Sequence, residues 1–124
     1  MIMTKQRLYP EAMIARVIGP DMFEATVDLG FDVIHTRRLR LLGVDSDHVR
    51  NLDPDGVKSA IEFFRSRVEG HQVELRILRK GEYYYARIIY GSDSTDLLDE
   101  MVTVGLLKRF ERSNSGSGSV ELEQ

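Results

Sequence analysis

A single strong helix start, Asp53-Pro54, divides a chain that is otherwise patterned for strands. A carboxylate accepts the unpaired N–H groups at a helix end, and proline suits the first helical position because its missing N–H would have no partner there. Downstream, Val57, Ala60, Ile61, Phe64 and Val68 recur at helical spacing on one apolar face, and Gly70 ends the run. Three strand-like segments precede it: residues 13–18, residues 23–29 with alternating apolar and polar side chains, and the long stretch 33–44. The turns Gly19-Pro20-Asp21 and Gly30-Phe31-Asp32 join them, so residues 11–45 read as a three-stranded meander.

Behind the helix, Val73, Leu75 and Ile77 alternate with Glu74 and Arg76 in a strand over residues 71–78. Arg79-Lys80-Gly81-Glu82 is a hairpin turn, and residues 83–90 form a fifth strand dense in aromatic and β-branched side chains. Leu97, Leu98, Met101 and Val102 mark a short helix over 96–104, closed by Gly105. Three strands, a helix, two strands and a helix predict an α+β, mainly β fold. The expected architecture is a five-stranded OB-type Greek-key barrel, with a helix between strands 3 and 4 and a short C-terminal helix; closing the barrel removes the exposed sheet edges. Leu106, Leu107 and Phe110 are expected to pack back on that barrel.

At 124 residues the chain is one domain, with no internal repeat and enough length to bury a core. The domain is expected over 8–112, with residues 1–7 a flexible N-terminus and 113–124 a flexible Ser/Gly-rich acidic tail. The absence of cysteine excludes disulfides and any cysteine-ligated zinc or iron–sulfur site. No apolar run approaches bilayer length and residues 1–7 lack a signal-peptide core, so a soluble cytoplasmic protein with no membrane partner is expected. The formal charge of -3 argues against a general nucleic-acid coat, because phosphate neutralisation needs an excess of Lys and Arg. Binding to nucleic acid would have to use a local patch.

Such a patch is visible in Arg37-Arg38-Leu39-Arg40-Leu41-Leu42-Gly43-Val44-Asp45-Ser46-Asp47-His48. It reads as a buried strand with a row of arginines on one side, running into a short acidic loop that could hold a phosphate and a divalent cation. The same arginines also read as the solvated edge of a strand, and Asp21 and Asp45 as turn and strand-end carboxylates. Tyr83, Tyr84, Tyr85 and Tyr90 could stack nucleobases or form a protein-interaction face, with strand alternation sending half of them into packing. His35, His48 and His71 are far apart, show no metal spacing and are expected on the surface.

From residue 12 to 108 the chain resembles the staphylococcal-nuclease-like (thermonuclease) domains. Three places carry the likeness: the strand from Arg38 to Asp45, the helix from Pro54 to Val68, and Asp96-Leu97-Leu98-Asp99-Glu100-Met101-Val102-Thr103-Val104-Gly105-Leu106, similar to the family's closing helix. Members that cut nucleic acid hydrolyse phosphodiesters with a calcium ion, a carboxylate base and two arginines. The resemblance implies Asp21 and Asp45 as metal carboxylates, with the Ser46 carbonyl beside them, and Arg40 as the first phosphate clamp. It also implies departures. The family's Thr-Pro-Glu, whose glutamate positions the attacking water, is Ser46-Asp47-His48 here, leaving His48 as a substitute base. The second arginine falls on Tyr83, or on Tyr84 if the register slides by one, and Arg87 matches a basic family position outside the site. The expected function is therefore a binding module for nucleic acid or for a protein partner, the latter through the Tyr83 and Tyr85 strand face. The alternative is a calcium-dependent nuclease of DNA or RNA with a rearranged site.

Overall fold

The structure, a computed structural model, describes residues 6–111. The five long strands are β1 (Arg7–Val17), β2 (Met22–Asp28), β3 (Ile34–Leu41), β4 (Gln72–Lys80) and β5 (Tyr83–Tyr90). A two-residue strand β6 (Thr95–Asp96) and helices α1 (Ser46–Arg50), α2 (Pro54–Val68) and α3 (Leu97–Thr103) complete the described fold. The sheet runs β3-β2-β1-β4-β5-β6, and a further parallel pairing of β3 with β5 closes the first five strands into a mixed barrel. This is the expected OB-type barrel, mainly β, with α2 between β3 and β4 and α3 after β5.

β1 does the work of two strands. Its first half pairs with β4 and its second half with β2, both antiparallel. The β4 register slips between Tyr9 and Ala12, where Pro10 has no N–H to give the ladder. Pro10 and Glu11 also interrupt the apolar alternation, which is why the sequence suggested a first strand over 13–18, whereas β1 runs from Arg7 to Val17.

β3 likewise ends at Leu41 rather than running to residue 44. Gly43 takes φ +94, turning the chain out of the strand, and Asp45 then caps the unexpected helix α1. Asp53 caps α2 as expected, its carboxylate accepting from the Gly56 N–H at 2.7 Å. The anticipated residue 112 and the 113–124 tail lie outside the described residues.

Alternation places Phe23, Ala25 and Val27 of β2, Leu39 and Leu41 of β3, and Ala86 and Ile88 of β5 inside the barrel. α2 and α3 close one end with Ala60, Phe64, Val68, Leu97, Leu98 and Met101. Phe64 meets Phe23 with ring centres 5.7 Å apart. Arg67 on α2 pairs with Glu100 on α3 at 3.2 Å, and the Tyr90 hydroxyl donates to the same carboxylate. Burial, and then Glu100, push the Tyr90 phenol up to about 12. Leu107 packs against the core as expected, but Phe110 is 60% exposed. Among the described residues, no helix is long and apolar enough to cross a membrane.

Phe64→Ala should cost about 3–5 kcal/mol, because it empties the contact between helix and barrel. Urea unfolding should show the midpoint fall with the slope unchanged.

Candidate functional site: a cationic cleft at the barrel closure

Only two residue pairs join β3 to β5, Arg40 with Tyr85 and Leu41 with Ala86. A cavity of about 390 Å³ opens on the outer side of this closure. Four parts of the chain supply its polar wall. The β1–β2 turn gives Asp21, β3 gives Arg40, α1 gives Ser46 and Arg50, and the β4–β5 hairpin gives Lys80, Tyr83 and Tyr85. Phe110 closes the rim.

Each group has a local reason for its position. The Leu41 N–H donates to the Asp21 carbonyl at 2.8 Å, which pins the β1–β2 turn against the end of β3. Lys80 pairs with Tyr83 across a tight turn in which Gly81 takes φ +60. Tyr83 and Tyr85 are two apart on β5 and so share a face. Arg40 sits 5.8 Å from the Tyr83 ring centre, and the Lys80 ammonium 5.7 Å from that of Tyr85. Tyr83 is 57% exposed, leaving ring surface open to a ligand.

Asp21 is the only buried charged side chain among the described residues. Burial raises its carboxyl above the usual carboxylate range, and the Arg40 charge works in the opposite direction. Neither Arg40 nor Lys80 makes an ion pair among the described residues, while Arg50 pairs with Asp47 on α1. The wall thus presents three cations around one carboxylate.

Asp21, Arg40, Ser46 and Tyr83 are therefore brought together, while Asp45 and His48 are not on this wall. Asp45 caps α1, with Oδ1 accepting from the Asp47 and His48 N–H groups at 3.0 and 3.3 Å. His48 is half-buried rather than on the open surface, and its Nδ1 is shut off from solvent with no hydrogen-bond partner among the described residues. Calcium takes about six to eight oxygen ligands. One carboxylate and a serine among three cations suit an anion better. Among the described residues, no three His, Cys, Asp or Glu side chains group closely enough to hold a metal. Arg87 is held by Asp96 at 2.8 Å.

The arginines of β3 do not form one row. Arg38 and Arg40 face outward, whereas Arg37 pairs with buried Ala25 and shares its inward side. Below the closure β3 and β5 part, and Arg37 bridges the gap by stacking over Tyr84 at 4.3 Å. A smaller space of about 260 Å³, bordered by Arg37, Arg38, Arg40, Tyr83 and Tyr84, fills this seam. Sequence reasoning missed Arg50, hidden in an unforeseen helix, and Lys80, read only as a turn residue. The pairing across a short hairpin turn was the available signal for Lys80.

Fold and cleft together define a small OB-type barrel with a cationic, tyrosine-lined groove at its closure. Comparison with protein-family models, curated proteins and solved structures found no match.

Asp21 holds its proton more tightly folded than unfolded, where the ordinary value is 3.8. Its favourable contribution is complete below that value and is lost as pH rises through the raised folded value. Asp21→Asn should therefore gain stability over the parent as pH rises from about 3 to about 7, read by urea unfolding at each pH. Asp45→Ala should cost about 0.5–2 kcal/mol through loss of the cap, by the same measurement.

Proposed function

We propose that the protein is a binding module for single-stranded nucleic acid, a staphylococcal-nuclease-like barrel whose cutting chemistry is incomplete. The observation that carries this reading is Arg40 and Lys80, without an ion-pair partner among the described residues, lying beside the exposed ring of Tyr83 and the half-buried ring of Tyr85 in one groove. Cations track a phosphate backbone, and tyrosine faces stack bases without regard to sequence. OB-type barrels commonly bind oligonucleotides between the β1–β2 and β4–β5 loops and the face of strands 2 and 3. Here Asp21, Arg38, Arg40 and the Lys80-to-Tyr83 hairpin occupy the corresponding places, which is support by fold analogy. The overall charge of -3 is compatible, since Arg38, Arg40, Arg50 and Lys80 line two adjoining cavities that share Arg40.

Efficient cutting would need a base near the attacking water as well as cations on the scissile phosphate, and Arg50 and Lys80 join Arg40 only in supplying the latter. Tyrosine stands where the resemblance calls for arginine, and His48 lies off the wall. The second reading, a calcium-dependent nuclease, draws on Asp21, Arg40 and Ser46 sharing one cavity. A protein partner on the Tyr83 and Tyr85 face is the remaining possibility; it predicts no affinity for an oligonucleotide.

A labelled single-stranded oligonucleotide, followed by fluorescence anisotropy at low salt, should bind more tightly than the corresponding duplex. Tyr83→Ala should weaken binding by about 1–3 kcal/mol. Lys80→Gln should reduce the salt slope by roughly 0.7. No affinity at low salt would overturn the proposal. Digestion with calcium, magnesium or manganese, abolished by Asp21→Ala, would establish the nuclease instead.

A further inference from the structure

The barrel has a second opening, at the end that the helices leave uncovered. There a recess of about 360 Å³ is walled entirely by strand residues and the β2–β3 turn. Its floor is the underside of the core: Ala25, Val27 and Leu39 are buried, and Ile77 packs against them. Its rim is cationic. Arg7, Arg37 and Arg79 lie around it, with His35 exposed between them.

The register explains this composition. Arg37 faces inward opposite Ala25, His35 opposite Val27, Arg79 opposite Tyr84 and Arg7 opposite Ile77. Positions that would carry apolar side chains in a sealed barrel carry guanidiniums instead. Arg37 and Arg79 both crowd the Tyr84 ring, at 4.3 and 5.7 Å. None of the three arginines pairs with a carboxylate among the described residues, and Arg79 reaches only the Gly81 carbonyl at 2.8 Å. Three guanidiniums around one recess, with no carboxylate ion-pair partner among the described residues, give it a cationic rim that an anionic ligand would match.

The adjoining hairpin is unusual in the same direction. The β2–β3 turn exposes Leu29, Val33 and Ile34, and Phe31 is 100% exposed. Phe31 is held at φ 57, in the left-handed region that bulky residues avoid. Leu29 lines the recess itself, so the apolar turn continues its wall outward.

We propose that this mouth is a binding site for a small amphipathic monoanion, a medium-chain acyl carboxylate. The hydrocarbon body lies on Val27, Leu39 and Ile77, and the carboxylate accepts from Arg37 and Arg79. The recess has the volume of a small-molecule pocket, and its combination of apolar floor and a few convergent polar groups is what such pockets share. The site is distinct from the outer groove and does not depend on the nucleic-acid reading.

The test is calorimetric titration of the full chain with sodium decanoate below its micelle concentration, with decanol as the uncharged comparison. Decanoate should bind with one-to-one stoichiometry and decanol about tenfold or more weakly, the scale of a charge-assisted hydrogen bond. The double variant Arg37→Gln with Arg79→Gln should lose about tenfold in decanoate affinity, leaving urea stability near that of the parent because both side chains are exposed. Ile77→Phe, which fills the recess from its wall, should also weaken decanoate, and Arg40→Gln in the outer groove should leave it unchanged. Absence of decanoate binding, equal affinity for decanol, or indifference to both mouth variants would overturn the proposal. So would binding seen only on anionic phosphatidylglycerol vesicles, which would mark the mouth as a lipid-surface contact. Binding that appears only when residues 112–124 are removed would overturn it as well, by making that segment the occupant.

Discussion

The parallel contact between β3 and β5 is the constraint on which the rest of the molecule depends. Two residue pairs suffice to turn an open sheet into a barrel, and they fall at Arg40 with Tyr85 and Leu41 with Ala86. Leu41 and Ala86 face the core and complete its packing, while Arg40 and Tyr85 face out and found the groove. A longer contact would have sealed the wall. Because the strands part immediately below, Arg37 and Tyr84 are left to fill the seam with a stacked pair rather than a ladder of hydrogen bonds.

Closure also distributes charge. The two helices seal one end with apolar side chains and a short network among Arg67, Glu100 and Tyr90, so acids and bases there are largely matched. At the closure and the opposite mouth, Arg7, Arg37, Arg40, Arg79 and Lys80 have no carboxylate ion-pair partner among the described residues. Asp21 is set against that tendency: its burial disfavours the charge, and Arg40 partly restores it. The result is a barrel with a matched, helix-covered end and a cationic, uncovered one. A modest negative net charge says nothing about such segregation, because it averages over surfaces that never meet the same partner.

Much of the architecture was legible because the signals were local. Asp53-Pro54 and the spacing of Val57, Ala60, Phe64 and Val68 announced α2, and Gly81 with its flanking alternation announced the β4–β5 hairpin. Errors arose where one residue overrode a pattern. Pro10 hid the first half of β1 by breaking both the alternation and the ladder, and Gly43 ended β3 early by turning the backbone to positive φ. That turn made Asp45 a cap, and α1 then carried His48 into partial burial off the cleft wall. For the candidate site, the resemblance drew attention to Asp21, Arg40, Ser46 and Tyr83, which do share a cavity, but Arg50 and Lys80 reach it through tertiary contacts that spacing does not encode.

By itself the sequence determined the five long strands, the two longer helices, their order and the exclusion of cysteine chemistry, since each follows from local propensity, periodicity or composition, while α1 and β6 escaped it. Only the tertiary structure decided which arginines face outward and which face in, because that depends on the strand register after Gly30 and on where β3 meets β5. A shift of one residue in that register would move Arg37 and Arg40 to opposite faces from those they occupy, and would turn Leu39 and Leu41 out of the core. Burial of Phe23, Ala25 and Val27 against the core makes the choice.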